Sequence, residues 1–117
     1  MEGDVKKGYL LVVGAKMKKL RRICGLDQVE VMRAMGYSST SSVSQIEKGI
    51  KGMAFKRLES AAELFGVPAV VIASEKDYTL ENLEMIKGLY TIIDRQQSGD
   101  TPQNYHALKD LIKITAK

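Results

Sequence analysis

The fold is decided by residues 26–49, LDQVEVMRAMGYSSTSSVSQIEKG, in which two short helical patterns flank a glycine and a serine-rich run. Asp27, followed three residues later by Glu30, has the form of a capping box, in which two side chains satisfy free amides at the start of a helix. This spacing predicts a helix over about 28–35. Gly36 is expected to end it, because glycine accepts the positive φ of a sharp turn.

A serine-rich run follows this helix at residues 38–42. Such a run could be a flexible linker, but it is short and lies between two helical patterns. Val43 and Ile46 are three residues apart, and a Ser or Thr is available to cap a helix before them. These features predict a second helix over about 40–47, so the stretch has the order helix, turn, helix.

Apolar spacing predicts three further helices around this stretch, at about 12–24, 54–65 and 67–73. Residues 1–11 precede the first of them and are expected to form a flexible N-terminus. The five helices, joined by short loops, make a candidate domain over residues 12–75.

Residues 76–117 have a different pattern, in which two amphipathic helices are predicted at about 80–96 and 102–115, with a turn at 98–100. We therefore expect an all-α fold, in which a five-helix domain is followed by a C-terminal two-helix hairpin. Each hairpin helix carries an apolar stripe that must be buried. The stripe packs either on a second copy of the chain or on the core of the chain itself, and both alternatives are open. The candidate dimer-interface residues are Leu83, Ile86, Tyr90, Ile93, Leu108 and Ile112.

Charge and composition favour binding over catalysis. The net charge is +4, with twelve Lys/Arg and eight Asp/Glu in residues 1–75 and six of each in residues 76–117. A basic excess of this kind favours polyanions. The single cysteine, Cys24, and the single histidine, His106, provide neither a zinc site nor a nucleophile–base pair. We expect no enzyme activity, no metal, no cofactor and no membrane span.

The sequence resembles the Xre/Cro–phage-repressor helix-turn-helix family over about half of its length. The shared features are a Gln that opens the second helix of the domain, a Gly at the turn, an Ile-Glu-x-Gly ending of the third helix, and a fourth helix with Leu-x-x-x-Ala-x-x-Phe-Gly. This resemblance implies a lambda-repressor-like five-helix domain that binds DNA. The matching residues are Gln28, Gly36, Ile46-Glu47-Lys48-Gly49, Leu58, Ala62 and Phe65-Gly66.

The sequence departs from the family pattern at three places. One extra residue lies in the turn at 37–39, Met53 stands where the family usually has Pro, and Met32 stands where the second helix usually has Ala. We therefore expect an adjusted packing between the second and third helices.

The third helix of the domain is expected to enter the major groove with its polar side chains outward. Val43 and Ile46 would face the core behind them. The resemblance implies base contacts for three of the polar residues, and helical spacing adds Ser44. The alternative is that these residues only solvate the helix. The residues expected to contact bases are Thr40, Ser41, Ser44 and Gln45.

The resemblance also assigns residues to the DNA backbone and to the interior of the domain. The family holds a phosphate at the Gln that begins the second helix, and basic residues after the third helix add charge. Arg21 and Glu47 match residues that form an internal salt bridge between the first and third helices. The residues expected to contact phosphates are Gln28, Ser42, Lys48, Lys51, Lys56 and Arg57.

These features predict a sequence-specific DNA-binding transcriptional regulator, a dimeric repressor that reads the major groove of a near-palindromic operator in double-stranded DNA. Two copies are expected because one recognition helix reads only about 4–6 base pairs. Two alternatives are open: an antitoxin-type regulator whose C-terminal helices bind a protein partner, and a helix-turn-helix-fold protein-interaction module. We expect a cytoplasmic, nucleoid-associated protein encoded by a bacterium or a phage.

Overall fold

The computed structural model describes the backbone of residues 2–98 and the side chains of residues 7–93. All regular structure in this part of the chain is α-helical. The expected final helix at 102–115, with Leu108 and Ile112, lies outside the described residues. The helices are α1 (Glu2–Ile23), α2 (Gln28–Met35), α3 (Thr40–Glu47), α4 (Phe55–Phe65), α5 (Ala69–Ala73) and α6 (Leu80–Ser98).

Helix α2 has the bounds that the sequence predicts, and the expected residues close both of its ends. The Asp27 carboxylate accepts a hydrogen bond from the Glu30 amide at 2.8 Å, and Glu30 Oε1 accepts one from the Asp27 amide at 3.3 Å. Gly36 follows the helix with a φ of 78°. The capping box and the glycine stop are therefore confirmed.

Helix α3 shows that the serine-rich run is not a linker. Ser39 lies at the N-cap, where its Oγ accepts a hydrogen bond from the Ser41 amide at 3.2 Å. Val43 and Ile46 are fully buried on the other side of the helix. The polar run therefore begins a helix whose apolar side is anchored in the core.

Helix α1 supports α3 and also packs against α5 and α6. Helix α2 packs against α3 and α4, and α4 packs against α5. The core between these helices is mainly aliphatic, with methionine filling the remaining space. Its large buried side chains include Met17, Leu20, Val31, Val43, Ile46, Phe65 and Ile72.

Helix α1 begins at Glu2, well before the position that apolar spacing indicated. The structure thus corrects the flexible N-terminus expected over 1–11. Within this early part of α1, the Tyr9 hydroxyl donates a hydrogen bond to the carbonyl of Ala73, a partner distant in sequence, at 2.5 Å. A pattern read from neighbouring residues does not contain this contact.

Gly14 allows the backbone of α1 to approach the end of α3 closely. A Cβ placed on Gly14 would overlap the carbonyl oxygen of Ile46 and would lie 2.8 Å from that of Glu47. Both atoms belong to the backbone of a helix end, so neither can rotate away. Gly14 is therefore required by the close approach of two helices, and not by a turn.

The apolar stripe of α6 faces the protein's own core. Leu83 and Ile86 are 0% exposed and belong to the main core cluster. Ile93 is also buried, and Tyr90 is half-buried. The assignment of Leu83, Ile86 and Ile93 to a dimer interface is therefore wrong, because their side chains have almost no surface left for a second chain. The large apolar residues of α6 that are exposed are Leu80, Met85 and Ile92.

Two lysines of α1 hold the connection between α5 and α6. Lys16 Nζ donates to the carbonyl oxygens of Val71 at 2.8 Å and Ser74 at 2.6 Å. Its side chain is completely buried, and burial lowers the pKa of the Lys16 amine to about 8. Lys19 Nζ donates to the carbonyl oxygen of Tyr78 at 2.8 Å. The helix that supports α3 therefore also holds the start of the C-terminal segment.

We expect Gly14→Ala to lower the free energy of unfolding by about 1–3 kcal/mol, because overpacking a tight contact forces backbone shifts. The matched control is Gly8→Ala, since Gly8 lies on the same helix and nothing lies within 4 Å of a Cβ placed there. The control should raise stability by about 0.5–1 kcal/mol, as alanine loses less backbone entropy than glycine. Urea denaturation followed by circular dichroism measures both, and equal effects would contradict the close approach.

Candidate nucleic-acid interface

The outward face of α3 is polar and accessible. Ser41 and Gln45 are exposed and lie one helical turn apart, and Thr40 and Ser44 are half-buried beside them. The four residues predicted to contact bases therefore lie on one helix, with Ser41 and Gln45 at its most accessible positions.

The carboxylate of Glu47, in the last turn of α3, binds side chains from two other helices. Arg21 of α1 donates from Nε to Oε2 at 2.7 Å and from Nη2 to Oε1 at 3.1 Å. Gln28 of α2 donates from Nε2 to the same Oε1 at 3.2 Å. The Glu47 side chain is only 4% exposed, and its hydrogen bond raises the pKa of Arg21 above the ordinary value. One buried charge pair thus joins α1, α2 and α3.

Arg57, predicted to contact phosphate, has a structural role instead of lying free on the surface. Its Nη1 donates to the carbonyl oxygen of Met35, at the end of α2, at 2.7 Å. Its guanidinium lies 4.2 Å from the centroid of the Tyr37 ring, and Lys51 Nζ lies 5.0 Å from the same centroid. Cations attract the face of an aromatic ring. The lengthened turn therefore supplies a ring that Arg57 and Lys51 both contact.

The other phosphate candidates are distributed over three elements. Lys48, directly after α3, and Lys56, near the start of α4, are exposed. Ser42 in α3 is half-buried, and so is Gln28, whose amide is turned toward Glu47. Lys48 and Lys56 are therefore the members of this set most accessible to a nucleic-acid backbone.

A cleft of about 250 Å³ opens between α1, α2 and α3, beside the outward face of α3. Two of its cationic residues, Lys18 and Arg22, are absent from the candidates predicted from the sequence. They lie four residues apart and are exposed, so they share one face of α1. Their spacing is a signal in the sequence, but tertiary packing decides which face of α1 borders α3. The lining residues are Lys18, Arg21, Arg22, Gln28, Ser44, Glu47 and Lys48.

Two other kinds of site were sought in the described part of the chain. Among these residues, no group of three or more His, Cys, Asp or Glu side chains is placed to hold a metal ion. No helix in the same residues combines the length and the apolar character needed to cross a membrane.

Residues 12–74 match a family model described as a helix-turn-helix domain. The match covers more than half of the chain and includes α2, α3 and the turn between them. The chain therefore belongs to the helix-turn-helix domain family, a class of DNA-binding domain, which is consistent with its resemblance to Xre/Cro–phage-repressor proteins. No curated protein and no solved structure matches the chain significantly.

We expect Glu47→Gln to lower the free energy of unfolding by roughly 3–5 kcal/mol, because it removes the counter-charge of a largely buried Arg21. Asp77→Asn is the matched control: Asp77 pairs with Lys19 at 3.0 Å, but its side chain is 57% exposed. The control should cost less than about 1 kcal/mol, as exposed pairs contribute little. Urea denaturation of the two variants measures the difference. Similar losses would mean that burial does not strengthen the Arg21–Glu47 pair.

Proposed function

We propose that this protein is a sequence-specific DNA-binding transcriptional regulator, a dimeric repressor that acts by occupying operator DNA. The observation that carries the proposal is the polar outward face of α3, where Ser41 and Gln45 are exposed on a helix that Glu47 joins to α1 and α2. The major groove of DNA admits an α-helix. Polar side chains on such a helix contact the base edges, and the rest of the domain holds the helix in position.

Gln45 and its neighbours supply the direct contacts to bases. A glutamine amide donates and accepts at once, so Gln45 can bind the N6 and N7 edge of an adenine with two hydrogen bonds. The hydroxyls of Ser41 and Thr40 can donate to or accept from several bases, and the Thr40 methyl group can contact a thymine methyl. Ser44 lies at the edge of this surface, where the cleft begins.

Phosphate contacts hold α3 in the groove. Lys48 and Lys56 are exposed, and the further candidates are Lys51 in the segment after α3, Ser42 on α3 and Gln28 at the start of α2. Such contacts supply affinity that does not depend on base sequence, whereas contacts to base edges supply the preference for one sequence.

Two copies of the chain together give the specificity that an operator requires. One helix of this length reads about 4–6 base pairs, and a dimer on a near-palindrome reads two such half-sites. Because Leu83 and Ile86 are buried in the chain's own core, the contact between copies involves other surfaces. Repression then requires only that the dimer block access to cytoplasmic bacterial or phage DNA, without catalysis.

Selection of bound duplexes from a random DNA library, at near-physiological salt, tests this proposal. We expect an inverted repeat whose half-sites lie about one helical turn, roughly 34–36 Å, apart. Sedimentation of the complex on the recovered duplex should give two chains per site. A solitary half-site bound by one chain would contradict the dimer, and binding without any consensus would contradict sequence-specific reading.

On the recovered operator, Gln45→Ala should weaken binding by about 1–3 kcal/mol and relax the preference at one position of each half-site. The side chain is exposed, so the fold should not change. Thr91→Ala is the control, because Thr91 is an exposed polar residue on α6, and it should bind as the unmodified chain does. Fluorescence anisotropy with matched and single-base-changed duplexes measures both. An unchanged affinity and preference would remove Gln45 from the residues that contact bases.

A further inference from the structure

We infer that Tyr37 is a positioning residue for base reading, because its ring ties the beginning of α3 to α4 and to the loop that follows α3. Through this attachment, Tyr37 fixes how the first turn of α3, with Thr40 and Ser41, meets the base edges. This inference rests on the proposed function, and it gives the lengthened turn at 37–39 a part in sequence specificity.

The Tyr37 ring contacts cations from two other segments of the chain. The guanidinium of Arg57, on α4, lies 4.2 Å from the ring centroid, and Nζ of Lys51, in the loop after α3, lies 5.0 Å from it. All three side chains are half-buried, and a cation binds an aromatic face more strongly when water is removed. One ring therefore links the turn before α3, the loop after α3 and the start of α4.

Arg57 is itself held in place, so it gives the ring a fixed support. Its Nη1 donates to the carbonyl oxygen of Met35 at 2.7 Å. The Tyr37 amide donates to the carbonyl oxygen of Met32 at 3.0 Å, directly after the glycine stop at Gly36. The backbone of Tyr37 and the guanidinium that contacts its ring are therefore both bonded to the last turns of α2.

Two short paths lead from the Tyr37 ring to residues that we propose to contact bases. On one side, Tyr37 lies two residues before Ser39, whose Oγ accepts a hydrogen bond from the Ser41 amide at 3.2 Å. On the other side, the Lys51 amide donates to the carbonyl oxygen of Gln45 at 3.4 Å. A displacement of the ring therefore reaches both exposed residues of the outward face of α3.

The attachment at Tyr37 matters because α1 holds the opposite end of α3. The backbone approach of Gly14 and the ion pair of Arg21 with Glu47 both lie at the last turn of this helix. At 1.5 Å per residue, Ser41 is about 9 Å from Glu47 along the helix axis, whereas Gln45 is about 3 Å from it. A tilt of α3 about its last turn therefore moves Ser41 about three times as far as Gln45. The first residues of a recognition helix are those that contact base edges.

Selection of bound duplexes with the full chain carrying Tyr37→Leu tests this inference. Ser41→Ala and Gln45→Ala first identify the base position that each residue reads on the operator of the unmodified chain. We expect Tyr37→Leu to reduce the preference at the Ser41 position about fivefold and the preference at the Gln45 position less than about twofold, because two cation contacts with the ring are lost. Fluorescence anisotropy with single-base-changed duplexes measures both preferences.

Two further variants separate the orientation of α3 from the stability of the domain. Tyr37→Phe keeps the ring that both cations contact, so it should retain the preferences of the unmodified chain. Tyr9→Leu removes another tyrosine, whose hydroxyl bonds to the carbonyl of Ala73. It should lower the midpoint of thermal unfolding, measured by circular dichroism, and leave both base preferences unchanged.

Other results would overturn the inference. If the unmodified chain selects no consensus, the proposed function and the inference fail together. Where a consensus is recovered, equal losses at the Ser41 and Gln45 positions in Tyr37→Leu would indicate a general loss of stability. An unchanged preference at the Ser41 position would show that the turn does not position α3. A loss that Tyr37→Phe shares with Tyr37→Leu would assign the effect to the hydroxyl group instead of the ring.

Discussion

The backbone contact between Gly14 and the end of α3 is the constraint on which the arrangement of this domain depends. Without a Cβ at Gly14, α1 lies directly against the carbonyl groups of Ile46 and Glu47. The position of α3 is thus set by a contact of backbone against backbone, which adjusts less readily than a contact between flexible side chains. Two turns further along α1, Arg21 binds the Glu47 carboxylate through two hydrogen bonds. This pair helps to fix the orientation of α3 relative to α1.

The polar residues of α3 are divided between buried and exposed positions. Glu47 is buried and shared by Arg21 and Gln28, whereas Ser41 and Gln45 are exposed. The buried residue therefore keeps the helix in place, and the exposed ones remain accessible for the base contacts that we propose. The same packing of α1 on α3 brings Lys18 and Arg22 of α1 beside the outward face of α3.

Helix α1 also connects α3 with the C-terminal segment. Its buried Lys16 satisfies carbonyl oxygens at the end of α5, and Lys19 does the same near the end of the connection to α6. Leu83 and Ile86 of α6 then complete the core. The beginning of the C-terminal segment is therefore part of the domain's own hydrophobic core. An apolar helix stripe must be buried, and the short connection after α5 places the stripe of α6 next to that core.

The sequence by itself determined the features that act over one or two turns. Asp27, Glu30 and Gly36 act on the helix they border, so the bounds of α2 could be predicted from neighbours in the chain, as could the polar face of α3. The spacing shared with a known family pointed in addition to Arg21 and Glu47. Contacts between residues distant in sequence depend on which faces of the helices meet, and the whole core decides that choice. Only the tertiary structure therefore decided the early start of α1 and the close approach at Gly14. It also decided the contact of Arg57 with the Tyr37 ring and the burial of Leu83 and Ile86. The cleft that Lys18 and Arg22 line together with residues of α3 likewise depends on the tertiary structure.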